Sequence, residues 1–169
     1  MADRKKPNRQ AIGLAPAHRL LTAGAGKKLN VSKDAAKEAK MATKGYLKKV
    51  ALKLLARAND LGKKTVTLDM VIRESVGCNG VTEKDVRTGH QGEMKGFSLA
   101  GVVRTVKKSC KLRITEEAQH GLLAAAEAYC RYLGSLSGKM VDSSSEKEKG
   151  RRKTIKSRDV KHAIEIASM

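Results

Sequence analysis

Two threonines sit in matching basic phrases, Thr65 in "GKKTVT" (62–67) and Thr154 in "RRKTIK" (151–156). In each, cations precede a hydroxyl, and a β-branched residue and another hydrogen-bonding side chain follow it. Clustered cations of this kind favour an anionic partner. They are not accompanied by bond-making chemistry. The chain has no Gly-rich phosphate loop, no nucleophile elbow and no paired carboxylates among apolar residues, so no enzyme is expected. Cys78, Cys110 and Cys130 lack metal-ligand spacing, and four scattered histidines do not complete a site. Reduced thiols, with neither metal nor cofactor, are the expectation.

Charge identifies the class of anion. The net charge is +19 over 169 residues. It divides as +12 over residues 1–76, zero over 77–96 and +7 over 97–169. A folded chain keeps such self-repulsion when a polyanion relieves it, and nucleic acid is the leading candidate. An anionic membrane asks for Trp, Phe or Leu on an amphipathic surface helix. Here Trp is absent, Phe97 is the one phenylalanine and three tyrosines complete the aromatics. No apolar run approaches the ~18–20 residues of a membrane-spanning helix. The opening "MADRKKPNRQ" reads as a basic disordered arm rather than a signal peptide.

The elements that must position the two phrases come in two sets. Leu14, Ala15 and Arg19 match Leu99, Ala100 and Arg104 at an offset of 85, and Val31-Ser32 match Ile114-Thr115 at 83. Thr65 and Thr154 match at 89, which places the added residues in the polar stretch "DSSSEKEKG" (142–150). The halves read as a diverged tandem duplication. Each half is predicted to run short helix, loop, long helix, loop, short helix. Ser32 and Thr115 are the expected N-caps of the long helices, and Gly62 the stop of the first. That first helix is predicted over 33–61, with Tyr46, Leu47, Val50, Ala51, Leu54, Leu55, Ala58 and Leu61 on one face. Leu122, Leu123, Ala126, Tyr129, Cys130, Leu133 and Leu136 mark the corresponding face of the second. Tyr46 and Tyr129 are expected in the core or at its edge, not stacked on bases.

A helix of about 29 residues spans roughly 43 Å, too long for two short helices to cover. A half of about 65 residues is also marginal alone. The long helices are therefore expected to cross, each half completing the other's core. Residues 77–96 hold five glycines and no net charge, and read as a linker with one helical turn at Thr82–Arg87. The expected divisions are a basic tail at 1–11, a first unit at 12–76, the linker at 77–96 and a second unit at 97–169.

This layout resembles the histone fold over nearly the whole chain. Two such folds in one polypeptide resemble the histone doublets of some archaea and giant viruses. The phrase "RRKTIKSRDV" (151–160) carries the best match, to the second loop and third helix of that family. The resemblance implies an all-α pair of folds interlocked as a handshake. It implies DNA-phosphate contacts from Lys153 and Thr154, from Arg104 and Arg113, and from Arg19, Lys63, Lys64 and Thr65. Lys27, Lys28, Lys111, Arg151 and Arg152 join this set as neighbouring loop cations. It further implies that Arg152 pairs with Asp159 and braces the second loop. Asn30 stands where Arg113 stands in the second half, and Asp69 follows Thr65 by four residues rather than five. The brace is therefore in question in the first half, whose first loop is expected either to bind more weakly or to rely on Lys27 and Lys28.

By this resemblance the chain is an architectural protein that wraps and compacts duplex DNA in nucleosome-like particles with little sequence preference. Its implied partners are double-stranded DNA, through phosphate and minor groove, and other histone-fold proteins, with no membrane. Its implied place is chromatin, whether nucleus, archaeal nucleoid, viral factory or virion. Two other readings compete. One is a histone-fold scaffold subunit of a transcription or kinetochore-type complex. The other is a basic helical RNA-binding protein, disfavoured by the duplication and the scarcity of stacking aromatics. Lysines in mid-helix, such as Lys40, Lys44 and Lys48, are expected to form a solvated face.

Overall fold

The computed structural model describes residues 12–26, 29–77, 79–88, 96–144 and 153–169. The basic arm, Lys27, Lys28, Cys78, Arg151 and Arg152 lie outside those residues, as does most of the 142–150 insertion. Seven α-helices occur among the described residues: α1 (Leu14–Ala25), α2 (Lys33–Asp60), α3 (Leu68–Ser75), α4 (Glu83–Thr88), α5 (Leu99–Lys107), α6 (Glu116–Ser144) and α7 (Ser157–Ala167). Four two-residue strands lie in the loops: β1 (Asn30–Val31), β2 (Thr65–Val66), β3 (Arg113–Ile114) and β4 (Thr154–Ile155).

The long helices begin where their caps stand. Ser32 Oγ accepts from the Ala35 N–H at 3.1 Å, and Thr115 Oγ1 from the Ala118 N–H at 3.2 Å. Each satisfies a backbone donor that has no partner in the first turn. The first long helix ends one residue before the predicted position, in a Schellman turn. Gly62 takes φ +63°, its N–H reaches Asn59 O at 3.1 Å, and the Lys63 N–H reaches Ala58 O at 2.8 Å. That turn carries Leu61 out of the core, where it is 52% exposed; the predicted apolar face ends at Ala58 instead. The linker turn forms as α4. Thr82 Oγ1 accepts from the Asp85 N–H, and Asp85 Oδ2 accepts from the Thr82 N–H, a reciprocal cap.

α2 and α6 meet at Tyr46 and Tyr129, whose rings stack with centroids 4.5 Å apart. α1 packs chiefly against α6 and secondarily against α2, while α5 packs against both. α7 likewise lies on both long helices, and α3 does too. The crossing of α1 over α6 is close enough to require glycine. A Cβ on Gly134 would land on the Leu21 carbonyl oxygen, and one on Gly24 on the Arg131 carbonyl.

The apolar faces of the long helices differ in width. α2 buries one stripe, from Ala35 through Leu47 to Ala58. α6 is buried on every side from Gly121 to Cys130. The predicted face of α6 is thus only part of what it buries. α4 and the backbone leading into it pack on a second face, and Gly96 lies against Glu127. No helix among the described residues is long and apolar enough to cross a membrane.

Candidate nucleic-acid interface

The short strands pair across the two halves, not within them. β1 pairs in parallel with β4, placing Asn30 opposite Thr154 and Val31 opposite Ile155. β2 pairs in parallel with β3, placing Thr65 opposite Arg113 and Val66 opposite Ile114. Backbone bonds extend both ladders: the Asn30 N–H donates to Lys153 O at 2.7 Å, and the Thr115 N–H to Val66 O at 3.1 Å. Successive strand residues face opposite ways, and the second residue of every pair is buried. Val31, Val66, Ile114 and Ile155 point into the core. Asn30, Thr65, Arg113 and Thr154 are thereby turned outward.

Each cross-strand ladder gathers cations. At the β2–β3 end, Lys63 and Lys64 stand exposed beside exposed Lys111 and Arg113, with Thr65 half-buried between them. Lys107 and Lys108, exposed at the end of α5, enter the same loop and add to it. These two are absent from the set that the family resemblance implies, although the run "KKSCKLR" announces them. At the β1–β4 end, Lys153 is exposed and Thr154 half-buried beside exposed Asn30. Lys156, exposed at the start of α7, is a further cation at this end and is likewise absent from the implied set. Lys27, Lys28, Arg151 and Arg152 fall outside the described residues. Arg19 and Arg104 occupy the same exposed position on α1 and α5, six residues into each helix.

The first loops are held in the same way in both halves, by different residues. His18 Nε2 lies 3.0 Å from Val31 O, and Gln119 Nε2 donates to Ile114 O at 3.0 Å. Val31 and Ile114 are the matched inward residues, so one carbonyl in each half is tied to a helix. This fixes the outward side chains next to it.

The second loops differ. Asp159 is 7% exposed, and its Oδ2 accepts from the Lys156 N–H at 2.8 Å, closing the first turn of α7. Its expected partner Arg152 lies outside the described residues. In the first half Asp69 has an 87% exposed side chain, and its contact is with Arg87 of α4 at 3.9 Å. The matching carboxylate of the first half thus faces α4. Arg57 instead ties the end of α2 to α3 through Glu74 at 2.9 Å.

The aromatic and thiol groups belong to the interior. Tyr46 and Tyr129 are 7% and 6% exposed, which leaves neither ring open to a base. Burial raises the pKa of both, that of Tyr129 to about 12, and raises the Cys130 thiol to about 12. Cys110 and Cys130 are both buried free thiols. On the mid-section of α2, Lys48 is exposed while Lys40 and Lys44 are half-buried. Burial, then Lys44 and Lys37, lower the pKa of Lys40.

No protein-family model matches the sequence, nor does any curated protein sequence. Solved structures do match. A protein of Thermus thermophilus superposes with a TM-score of 0.62 at 14% identity, covering 94% of this chain and 98% of its own. The histone of Methanopyrus kandleri superposes with a TM-score of 0.67 at 20% identity, covering 90% of this chain and 92% of its own. At such identities the likeness is one of fold, and the chain shares the fold of that histone.

Proposed function

We propose that this protein is a chromatin-type architectural protein that bends and wraps duplex DNA through phosphate contacts. The observation that carries this reading is the cross-half pairing of the loops. It joins two cation-bearing loops at each end, with a threonine hydroxyl between them, on a chain of net charge +19. Phosphate contacts from two separated ends position a duplex without reading its bases. Contacts at two separated ends favour DNA that can bend to reach both, so deformability sets what little preference exists. Histone octamers bind DNA in this manner, through backbone and deformability with no base-specific contacts. The N-termini of α1 and α5 offer free backbone N–H groups as further phosphate donors.

The two halves act, in this reading, as an intramolecular handshake pair, equivalent to a dimer of separate histone folds. Residues 12–76 expressed alone should then fail to give a stable folded monomer, because α1 has lost α6. A plasmid assay separates wrapping from mere adhesion. Closed circular DNA relaxed by a topoisomerase in the presence of the protein should retain a change in linking number after deproteinisation. Unchanged linking number at saturating protein, or preference for duplex RNA over duplex DNA at one fixed salt, would overturn the reading in favour of a scaffold or an RNA-binding role.

A further inference from the structure

The stack of Tyr46 on Tyr129 relates α2 to α6 residue by residue at the offset of 83 seen at their caps. Ala35, Ala39, Leu47 and Val50 are buried on α2, and their counterparts Ala118, Leu122, Cys130 and Leu133 are buried on α6. The converse fails along one stripe. Gly121, Ala124, Ala125 and Ala128 are buried on α6, but their α2 counterparts Glu38, Met41, Ala42 and Gly45 are wholly or partly open. Met41 is 62% exposed, and a Cβ built on Gly45 would meet nothing within 4 Å.

The linker makes the difference. It runs along α6 with Gly80 against the Tyr132 ring and Val86 against Gly121. Val81 and Val86 are each 1% exposed, and small residues on α6 let the segment approach. No described segment covers α2 in this way. The open stripe continues to Leu52, which is 49% exposed. Its rim is cationic, with Lys37, Lys48 and Lys49 exposed and Lys44 half-buried, and the one carboxylate in the stripe, Glu38, already faces Lys161 at 3.8 Å.

That rim selects the occupant. A second copy brings its own +19, and the basic arm at 1–11 is likewise repelled. We infer that the Met41–Gly45–Leu52 face of α2 docks a short acidic helical segment of another protein. One or two aliphatic anchors of that segment seat on Met41, Ala42 and Gly45, as Val86 seats against Gly121 of α6. Carboxylates flanking the anchors meet the lysine rim. The apolar area is small, so the contact is weak and salt-sensitive. Gly45 lies roughly 20 Å along the helix from either end of α2, clear of the loop clusters. Such docking is independent of the DNA-wrapping role.

The test uses the full chain and a labelled peptide of residues 79–88 carrying Lys84→Glu and Arg87→Glu, followed by fluorescence anisotropy at low salt. Saturable one-to-one binding is expected. Met41→Ser with Leu52→Ser, both at exposed sites, should weaken it by about tenfold through lost apolar contact. Val81→Ser with Val86→Ser in the peptide, at unchanged charge, should do the same, while Lys63→Gln with Lys64→Gln in the chain leaves it intact. Circular dichroism verifies that each chain variant folds. The inference is overturned by no binding, by equal binding of the serine peptide, or by insensitivity to the Met41 and Leu52 changes. It is also overturned if a short DNA duplex protects Lys44, Lys48 and Lys49 from acetylation in a chain whose loop lysines are neutralised, since the face would then serve nucleic acid.

Discussion

Tyr46 and Tyr129 stack ring on ring at the crossing of the two long helices, 4.5 Å between centroids and 10° from parallel. They hold the same place in the two halves, so the contact marks the local axis relating them. The hydroxyl of Tyr46 donates to Ser75 O at 2.8 Å, which also locks α3 to the crossing. Truncating either ring should cost about 3–5 kcal/mol, as for large aromatic deletions in a core. Tyr46→Phe keeps the stack and loses one buried hydrogen bond, with an expected cost of about 0.5–1.5 kcal/mol because Asn79 Nδ2 still donates to Ser75 O at 3.2 Å. Urea unfolding of the two variants separates the ring from the hydroxyl.

The same residues set an alkaline limit. Burial raises the Tyr46, Tyr129 and Cys130 pKa values in the fold, the last two to about 12, from ordinary values of 10.0 for tyrosine and 9.0 for cysteine. Ionisation therefore favours the unfolded chain. The stabilisation is fully present below about pH 9 and is lost between there and about pH 12, as unfolded thiol and phenol deprotonate first. Urea midpoints measured across that window should fall more steeply in the parent than in a Cys130→Ala, Tyr129→Phe double variant. Parallel curves would show that these groups do not govern the loss.

Two glycines should respond oppositely to alanine. Gly134 faces the Leu21 carbonyl across the α1–α6 crossing, and a methyl there has no room. Gly134→Ala should cost about 1–3 kcal/mol by overpacking, and more if the crossing cannot open. Gly45 has nothing within 4 Å of a built Cβ in the middle of α2. Gly45→Ala should stabilise by about 0.5–1 kcal/mol, because alanine lowers the backbone entropy cost of the helix. Thermal melts of the two variants check both signs.

Much of this arrangement is legible in the sequence, because local chemistry specifies it. Ser32, Thr115 and Gly62 fix the helix ends through their own hydrogen bonds and φ angle, and Thr82 starts α4 as its position in the linker implies. The offset of 83 between the caps of the long helices makes Tyr46 and Tyr129 equivalent, though it does not say that they touch. What escapes is set by chain segments far apart in sequence. Periodicity gives α6 one face, whereas linker packing buries the rest of Gly121–Cys130. Leu61 has the right spacing for the core, but the Schellman turn swings it out. The close approach at Gly24 and Gly134 leaves no mark in a hydropathy pattern. Of the interface, the cationic loops are readable as runs; Lys107, Lys108 and Lys156 join them only once the strand pairings are known.

Asp159 should hold the second loop in two ways. It caps α7 through the Lys156 N–H, and the family resemblance pairs it with Arg152. Asp159→Ala should cost about 1 kcal/mol for the cap alone. If Arg152 braces the loop through the same carboxylate, Arg152→Ala should destabilise the parent yet add little to the Asp159→Ala variant. A double-mutant cycle by urea unfolding reads the coupling directly, and additive losses would remove Arg152 from the brace. Asp69→Ala, at an exposed carboxylate with a distant arginine, should fall within about 0.5 kcal/mol of the parent.

Function should be concentrated in the paired loops, and salt dependence can locate it. Lys63 and Lys64 at one end and Lys153 at the other stand exposed on loops whose neighbours are fixed by cross-half strand pairing. If each contacts a phosphate, replacing it with glutamine should flatten the log–log dependence of DNA affinity on salt by about 0.9 per lost contact. The loss should be alike on any duplex sequence, because phosphate contacts carry no base information. Lys48, Lys49 and Lys53 are also exposed, but they lie along the middle of α2, away from both ladders. Neutralising those three removes the same net charge as neutralising Lys63, Lys64 and Lys153. Their slope change should nonetheless be much smaller. Both triple variants, titrated against one random-sequence duplex across a salt series, decide between a site and a diffuse field. Equal slope changes would mean that binding follows net charge alone, and the paired loops would lose their assignment.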